Sequence, residues 1–330
     1  MPSENAAGLR ARLFDADQPD RLLQQEELAA QLPTERQLLW IDLSGSLGPD
    51  ILALLPAHLR LSRRTLDALQ ESILEPSVTL HGNYLHVRVA AEPNDRDDQN
   101  RGWLDLIAGP NLLISRHDRP VEFLDAVDQR IRGDAASGIL TSAAFLTVIV
   151  DAVITSYHLA VDDIEADVDR LDAASLRGSA TDELLGDLVR CRRRIARLRS
   201  QLADHRAAFT ALAAPDIAQL VDDPDSVTLL QGLTARYEGA LRAVEDSREA
   251  LLGSFDVLMS RTAQRTNEVM KVLTIATVLL LPGSVIAGLL GMNVVVPLNA
   301  DDPMSFWLVV VAFAVLIVAA LVVARIKRWI

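Results

Sequence analysis

The chain has 330 residues, of which 50% are hydrophobic and 23% charged, with a formal net charge of −13 and a single cysteine, Cys191. That charge excludes nucleic acid as a partner, because a phosphate-binding surface needs a basic footprint to displace counterions. One cysteine excludes an intrachain disulfide and a cysteine-based metal knuckle, and it fits a reducing cytosolic setting.

The start, MPSENAAGLRARLFDADQPD, has neither the apolar core nor the cleavage site of a signal peptide, so the large N-terminal part is expected to stay in the cytoplasm. Residues 1–138 read as a cytoplasmic α/β domain. Strand-like runs begin at Leu38 (LLWIDL), Val78 (VTLHGNYLHVRVA), Gly102 (GWLDLIA) and Asn111 (NLLISRH), with Gly-Asn and Gly-Pro-Asn punctuation between them. Leu66, Leu69 and Ile73 recur at helical spacing and predict a helix over Ser62 to Ile73. His81 and His86, read as one strand, fall on opposite faces, and the remaining histidines are scattered.

Residues 139–271 read as a helical hairpin, Ser142 to Ala174 and Thr181 to Ala213, followed by a long stalk helix from about Asp225. The acidic stretch from Asp162 to Asp172 describes a solvated face. The basic run from Arg190 to Arg199 lies on the partner helix, where the two faces can pair. Neither is assigned a ligand, and Asp95, Asp97 and Asp98 read as a solvated loop.

Charge then almost vanishes. Residues 272–290, VLTIATVLLLPGSVIAGLL, and 306–324, FWLVVVAFAVLIVAALVVA, are each long and apolar enough to cross a hydrocarbon core of roughly 30 Å. Basic residues flank both outer ends (Arg261, Arg265 and Lys271; Arg325, Lys327 and Arg328), whereas the connecting loop, residues 291–305, carries only Asp301 and Asp302. The positive-inside rule then predicts a multi-pass membrane protein with both termini in the cytoplasm, an outward-facing acidic loop, and a basic tail, residues 325–330.

Polarity along the first span is concentrated on one face. Steps of three and four give Asn267, Met270, Thr274, Thr277, Leu281, Ser284, Gly288 and Gly291, which collects every hydroxyl residue of the span. Polar groups inside a bilayer face protein or water rather than lipid, so the stripe reads either as pore lining or as a packing seam of small residues; periodicity leaves both open. Two spans cannot enclose a hydrated path, so a pore requires a homo-oligomer. Neither span contains Glu or His, which leaves neutral oxygen donors suited to a hydrated ion.

Directly after the first span stands Gly291-Met292-Asn293, ending NEVMKVLTIATVLLLPGSVIAGLLGMN, and then come the acidic loop, one more span and the basic end RIKRWI. In that arrangement the chain resembles the CorA family of magnesium and cobalt channels, within a CorA/ZntB-like superfamily. DALQESILEPSVTLHGNYLHV from Asp67 and the acidic helix around Asp163 to Asp172 are also similar to family segments. The resemblance implies a funnel-shaped homopentamer in the cytoplasmic (inner) membrane. Its α/β cytoplasmic domain would join a long helical stalk and two C-terminal transmembrane helices, the first lining the pore. It further implies uptake of magnesium, with cobalt or zinc as alternative cargo, and no enzymatic activity.

Carried over by position, Gly291, Met292 and Asn293 form the selectivity filter, with the Asn293 amide touching a hydrated ion through its outer shell. Asn267 forms a polar ring, and Met270 and Leu273 an apolar constriction; Thr274, Thr277, Leu281, Ser284 and Gly288 continue the pore lining. The chain departs from the family pattern at Leu290, where an aromatic is usual, at Leu281 and Ser284, and at Gly232, where relatives can carry an aspartate that binds regulatory magnesium. The alternatives are a proton-coupled, ZntB-like zinc transporter and a non-conducting membrane-anchored sensor. No phosphate loop, nucleophile elbow or metal-ligand spacing suggests an enzyme.

Overall fold

The computed structural model describes residues 8–28, 32–45, 47–48, 51, 55, 60–70, 75–93, 101–134, 141–177, 182–220, 224–292 and 303–326. Two compact units divide it, Met1–Ala173 with Glu183–Leu252, and Ala174–Asp182 with Gly253–Ile330.

The first unit is built on a seven-stranded sheet. In chain order the strands are β1 (Gly8–Asp15), β2 (Arg21–Leu23), β3 (Gln37–Ser44), β4 (Ser77–His81), β5 (Tyr84–Ala91), β6 (Gly102–Gly109) and β7 (Leu112–His117), arranged β2-β1-β3-β7-β6-β5-β4. The central β3–β7 pair is parallel and its neighbours are antiparallel. Alternation puts Ala11, Leu13, Leu39, Ile41, Leu43, Ile107, Leu112 and Ile114 into one core with Leu28 of α1 (Gln25–Leu28). On the other face Phe14 and Trp40 meet Phe145 edge-on, with ring centroids 5.8 and 5.1 Å apart. A sheet covered on both faces explains why β5 is buried along its whole length.

Two turn residues need left-handed backbone: Gly82 (φ 43°) between β4 and β5, and Asn111 (φ 54°) between β6 and β7. The first turn overturns the single-strand reading of His81 and His86. His81 lies opposite Tyr84 across the hairpin, so both histidines share a face. They do not act together: His81 stacks on Tyr84, with centroids 4.9 Å apart, and His86 hydrogen-bonds Asp105 at 2.9 Å. The helix expected over Ser62 to Ile73 is shorter, α2 (Arg63–Ala68), with Ser62 as N-cap accepting from the Thr65 N–H at 3.1 Å.

Helices α3 (Glu122–Asp134), α4 (Ser142–Arg177), α5 (Asp182–Leu212) and α6 (Pro215–Leu220) follow, then α7 (Pro224–Leu290) and α8 (Pro303–Ile326). Within the hairpin, Arg194 of α5 reaches Asp163 and Asp167 of α4 at 3.3 and 3.4 Å, so the acidic and basic faces do meet. Other arginines of the run turn elsewhere, Arg197 to Glu92 and Arg199 to Glu245. Beyond the end of β4, the edge of β5 that has no neighbouring strand is closed by side chains. Ala90 donates its N–H to His205 Nε2 at 2.9 Å, and its carbonyl accepts from the Tyr157 hydroxyl at 2.8 Å.

Candidate functional site

Three helices contain long apolar stretches, and burial separates their roles. The most apolar window of α4 is 61% buried, whereas that of α7 is 0% buried. Phe145, Ile149, Val153 and Tyr157 of α4 are core residues, so α4 is a core helix of the first unit. In the second unit, α8 and the apolar end of α7 have no buried side chain among the described residues and are the candidate spans.

The two candidate spans touch along defined faces. On α7 the less exposed positions are Ile275, Ala276, Leu279, Pro282, Gly283 and Ile286, one helical stripe; on α8 they are Val309, Phe313, Ile317 and Ala320. The approach is tight at Gly283, where a Cβ would stand 2.5 and 2.7 Å from the Phe313 ring atoms Cζ and Cε2. Only a glycine admits that ring without displacement.

At about 100° per residue, the face carrying Met270, Thr274, Thr277, Leu281, Ser284 and Gly288 lies roughly half a turn from the face that α8 covers. All six are exposed in the single chain. Asn267 and Leu273 are exposed as well, although Leu273 sits about 60° around the helix from Met270. The hydroxyls of Thr274, Thr277 and Ser284 each donate back to the carbonyl four residues earlier, at 2.7, 2.8 and 3.0 Å. Their hydrogens are therefore engaged, and the oxygens present lone pairs outward. From Met259 to Thr274 every side of α7 is exposed, an arrangement that leaves Met270 and Leu273 without cover.

At the far end, α7 closes with Gly291, whose N–H donates to the Ala287 carbonyl at 2.9 Å; the Met292 N–H reaches Leu289 O at 3.4 Å. A Cβ at Gly291 would lie 3.2 Å from that Ala287 oxygen, so the last turn is tight. Asn293, Asp301 and Asp302 lie outside the described residues.

The first unit offers a weaker candidate, a cavity of about 660 Å³ lined by Glu92, Val121, Phe123, Asp151, Thr155 and Ser156. Two of its carboxylates already have cationic neighbours. Asp151 pairs with Arg236, and Glu92 stands 3.5 Å from Arg197. Burial raises the Glu92 pKa, against the pull of Arg197. Gly232, one turn before Arg236, is exposed, and a Cβ there would meet nothing within 4 Å. Among the described residues, no three His, Cys, Asp or Glu side chains are grouped to hold a metal ion.

An α/β body whose last helix runs on into a pair of uncovered apolar helices defines a membrane protein with two candidate spans at its C-terminal end. The family model described as "CorA-like Mg2+ transporter protein" matches residues 35–328, and the chain belongs to that family. It is 31% identical over 250 residues to the divalent cation transporter CmaX of Pseudomonas aeruginosa, covering 74% of this chain and 70% of that protein. It is 22% identical over 293 residues to the cobalt/magnesium transport protein CorA of Thermotoga maritima, covering 88% and 83%. The complete structure of the CorA magnesium transporter from Methanocaldococcus jannaschii shares the fold, with a TM-score of 0.76 at 20% identity over 98% of each chain.

What the sequence did not single out is the contact between Gly283 and Phe313. The available signal was a glycine beside a proline in the first span and a lone aromatic in the middle of the second, but nothing in either run states that the two face each other.

Proposed function

We propose that this chain is one subunit of a homo-oligomeric divalent-cation channel, a pentamer by its family resemblance, that admits hydrated magnesium into the cytoplasm and takes cobalt as a related cargo. The observation that carries this reading is the uncovered polar stripe of α7, turned away from α8. Copies of α7 gathered about an axis would cover that stripe and leave α8 outside, toward lipid.

The chemistry of the stripe suits a hydrated ion. Magnesium binds its inner shell at about 2.0–2.1 Å and dehydrates reluctantly, so a pore that reads the shell avoids the cost of stripping it. Shell waters are hydrogen-bond donors toward their surroundings. Hydroxyl oxygens whose own hydrogens are held by the helix backbone are acceptors, as are the Asn293 side-chain carbonyls assigned to the outer mouth. Asn267 provides a polar ring at the cytoplasmic end, and Met270 with Leu273 an apolar bore that blocks ions by excluding water.

The basic residues outside both spans support cytoplasmic termini and an outward loop carrying Asp301 and Asp302. At the stalk, Arg236 holds Asp151, and Gly232 supplies no carboxylate, so no cytosolic regulatory magnesium site is assigned. The family match and the named relatives favour divalent-cation transport over a sensor or an enzyme.

The test is cation flux into proteoliposomes of the full-length protein, parent against Asn293→Ala. Magnesium entry by the parent with discrimination against sodium, lost in the variant, supports both the channel and its filter. A variant that discriminates as the parent does would remove Asn293 from the filter.

A further inference from the structure

We infer that Phe313 is a positioning residue for the pore, a wedge on the outer helix that sets the direction of α7 beyond Pro282 and thereby places its outer end. The inference rests on the pore reading of α7 and deepens it.

Pro282 stands inside α7 and has no N–H, so the Val278 carbonyl lacks its usual helical donor. Gly283 follows at once. A proline in a helix interior is a common place for a bend beyond about 20°, and the adjacent glycine adds backbone freedom. Such a weak point needs something to fix its angle. The Phe313 ring is in the place to do so, because it enters the notch left by the missing Gly283 side chain, nearer than any Cβ would allow.

The notch and the polar stripe occupy opposite sides of the same turn, with Thr277 before the break and Ser284, Gly288 and Gly291 after it. Gly291 lies about 12 Å along the axis from Gly283, so a change of about 10° in the bend moves that end by about 2 Å. Hydrogen bonds to a hydration shell are made within a window of roughly 0.5 Å. A ring that holds the bend therefore holds the spacing of the outer mouth, although it touches no ion.

The experiment measures magnesium flux and magnesium-over-sodium selectivity in proteoliposomes for the full-length parent, Gly283→Ala, Phe313→Leu and the double variant, each compared with the parent for oligomer size in detergent. The methyl of Gly283→Ala pushes the ring and the bend, and flux is expected to fall about tenfold; trimming the ring as well makes room, and the double variant is expected within about threefold of the parent, the coupling expected of residues in contact. Phe313→Leu alone, with the notch unfilled, is expected to conduct with selectivity reduced about threefold, coupling of the same order.

Gly283→Ala behaving as the parent would overturn the inference. So would a double variant no better than Gly283→Ala, since helix stiffening by alanine rather than the ring would then be the cause. If Gly283→Ala does not assemble, Phe313→Leu decides, and unchanged selectivity overturns the inference. A parent that carries no divalent cation would instead overturn the pore reading itself.

Discussion

His205 joins β5 to α5 through one neutral ring. Nε2 accepts from the Ala90 N–H, so Nδ1 carries the proton and donates to the Gln201 carbonyl at 2.7 Å. Burial, the largest cause, lowers its pKa to about 4 from the usual 6.5. Above pH 6.5 the ring is neutral in folded and unfolded chains and adds no pH dependence. Between pH 6.5 and 4 the unfolded chain takes the proton more readily, so stability falls with pH, by up to about 3 kcal/mol across the window. His117 has the opposite sign. Burial alone would lower its pKa, but Asp42 raises it, so its contribution is present below the unfolded value and is lost as pH rises through the folded one. Thermal unfolding of the detergent-solubilised protein, followed from pH 7 to 4.5, should lose less midpoint in His205→Gln than in the parent. At neutral pH the variant should be less stable by about 1–3 kcal/mol, if glutamine fails to reach the Ala90 N–H. Parallel curves for the two proteins would show that this ring does not set the acid limb.

At the scale of elements, the polar stripe separates two accounts that periodicity left open. A packing seam requires Thr274, Thr277 and Ser284 to hold helices together, whereas a pore lining requires only that their oxygens face the lumen. Replacing the three with Val, Val and Ala keeps bulk and removes the acceptors. The pore account expects the parent oligomer on size exclusion with magnesium flux reduced about tenfold, on the order of 0.5 kcal/mol for each acceptor lost; the seam account expects dissociation. The same elements show what was legible. Strands β3, β6 and β7, the β4–β5 segment and the long helices are legible as apolar runs, whether the apolar residues are buried, as in β3, or left uncovered, as in α8. Strand β1 is not among the strands expected from the sequence, although Leu9, Ala11 and Leu13 alternate with Arg10 and Arg12. Alternating arginines give no sign of burial by themselves, since charged side chains are mostly exposed unless paired. Arg12 is in fact buried against Asp128 at 2.9 Å, and Arg10 lies over the Trp40 ring at 5.1 Å, partners supplied by distant elements. The His81 and His86 error had a local cause, a Gly82 turn read as part of a strand. The stripe of α7 was readable from spacing, but the position of α8 on the opposite side, and the Phe313 contact that fixes it, come from tertiary packing that no single helix encodes.

Taken whole, the chain has a net charge of −13, yet its first span holds no ionised group between Lys271 and Asp301. Nothing in that span can carry a proton along with the ion, and the neutral stripe offers no titratable step by which a pH gradient would do work on it. The membrane potential is then the available force. Each elementary charge gains about 2.3 kcal/mol per 100 mV, so a divalent cation gains about 4.6 kcal/mol, enough for an accumulation on the order of 1,000-fold. A passive pore that conducts hydrated magnesium therefore needs no coupling ion. In proteoliposomes with equal magnesium on both sides, an inside-negative potassium diffusion potential of about 100 mV should drive net entry, about twice as strongly per millivolt as for a monovalent ion. Clamping the potential to zero should stop that entry, and an imposed pH gradient at zero potential should not restore it. Entry that follows the pH gradient instead would place a proton-carrying group in the conduction path and return the protein to a coupled transporter.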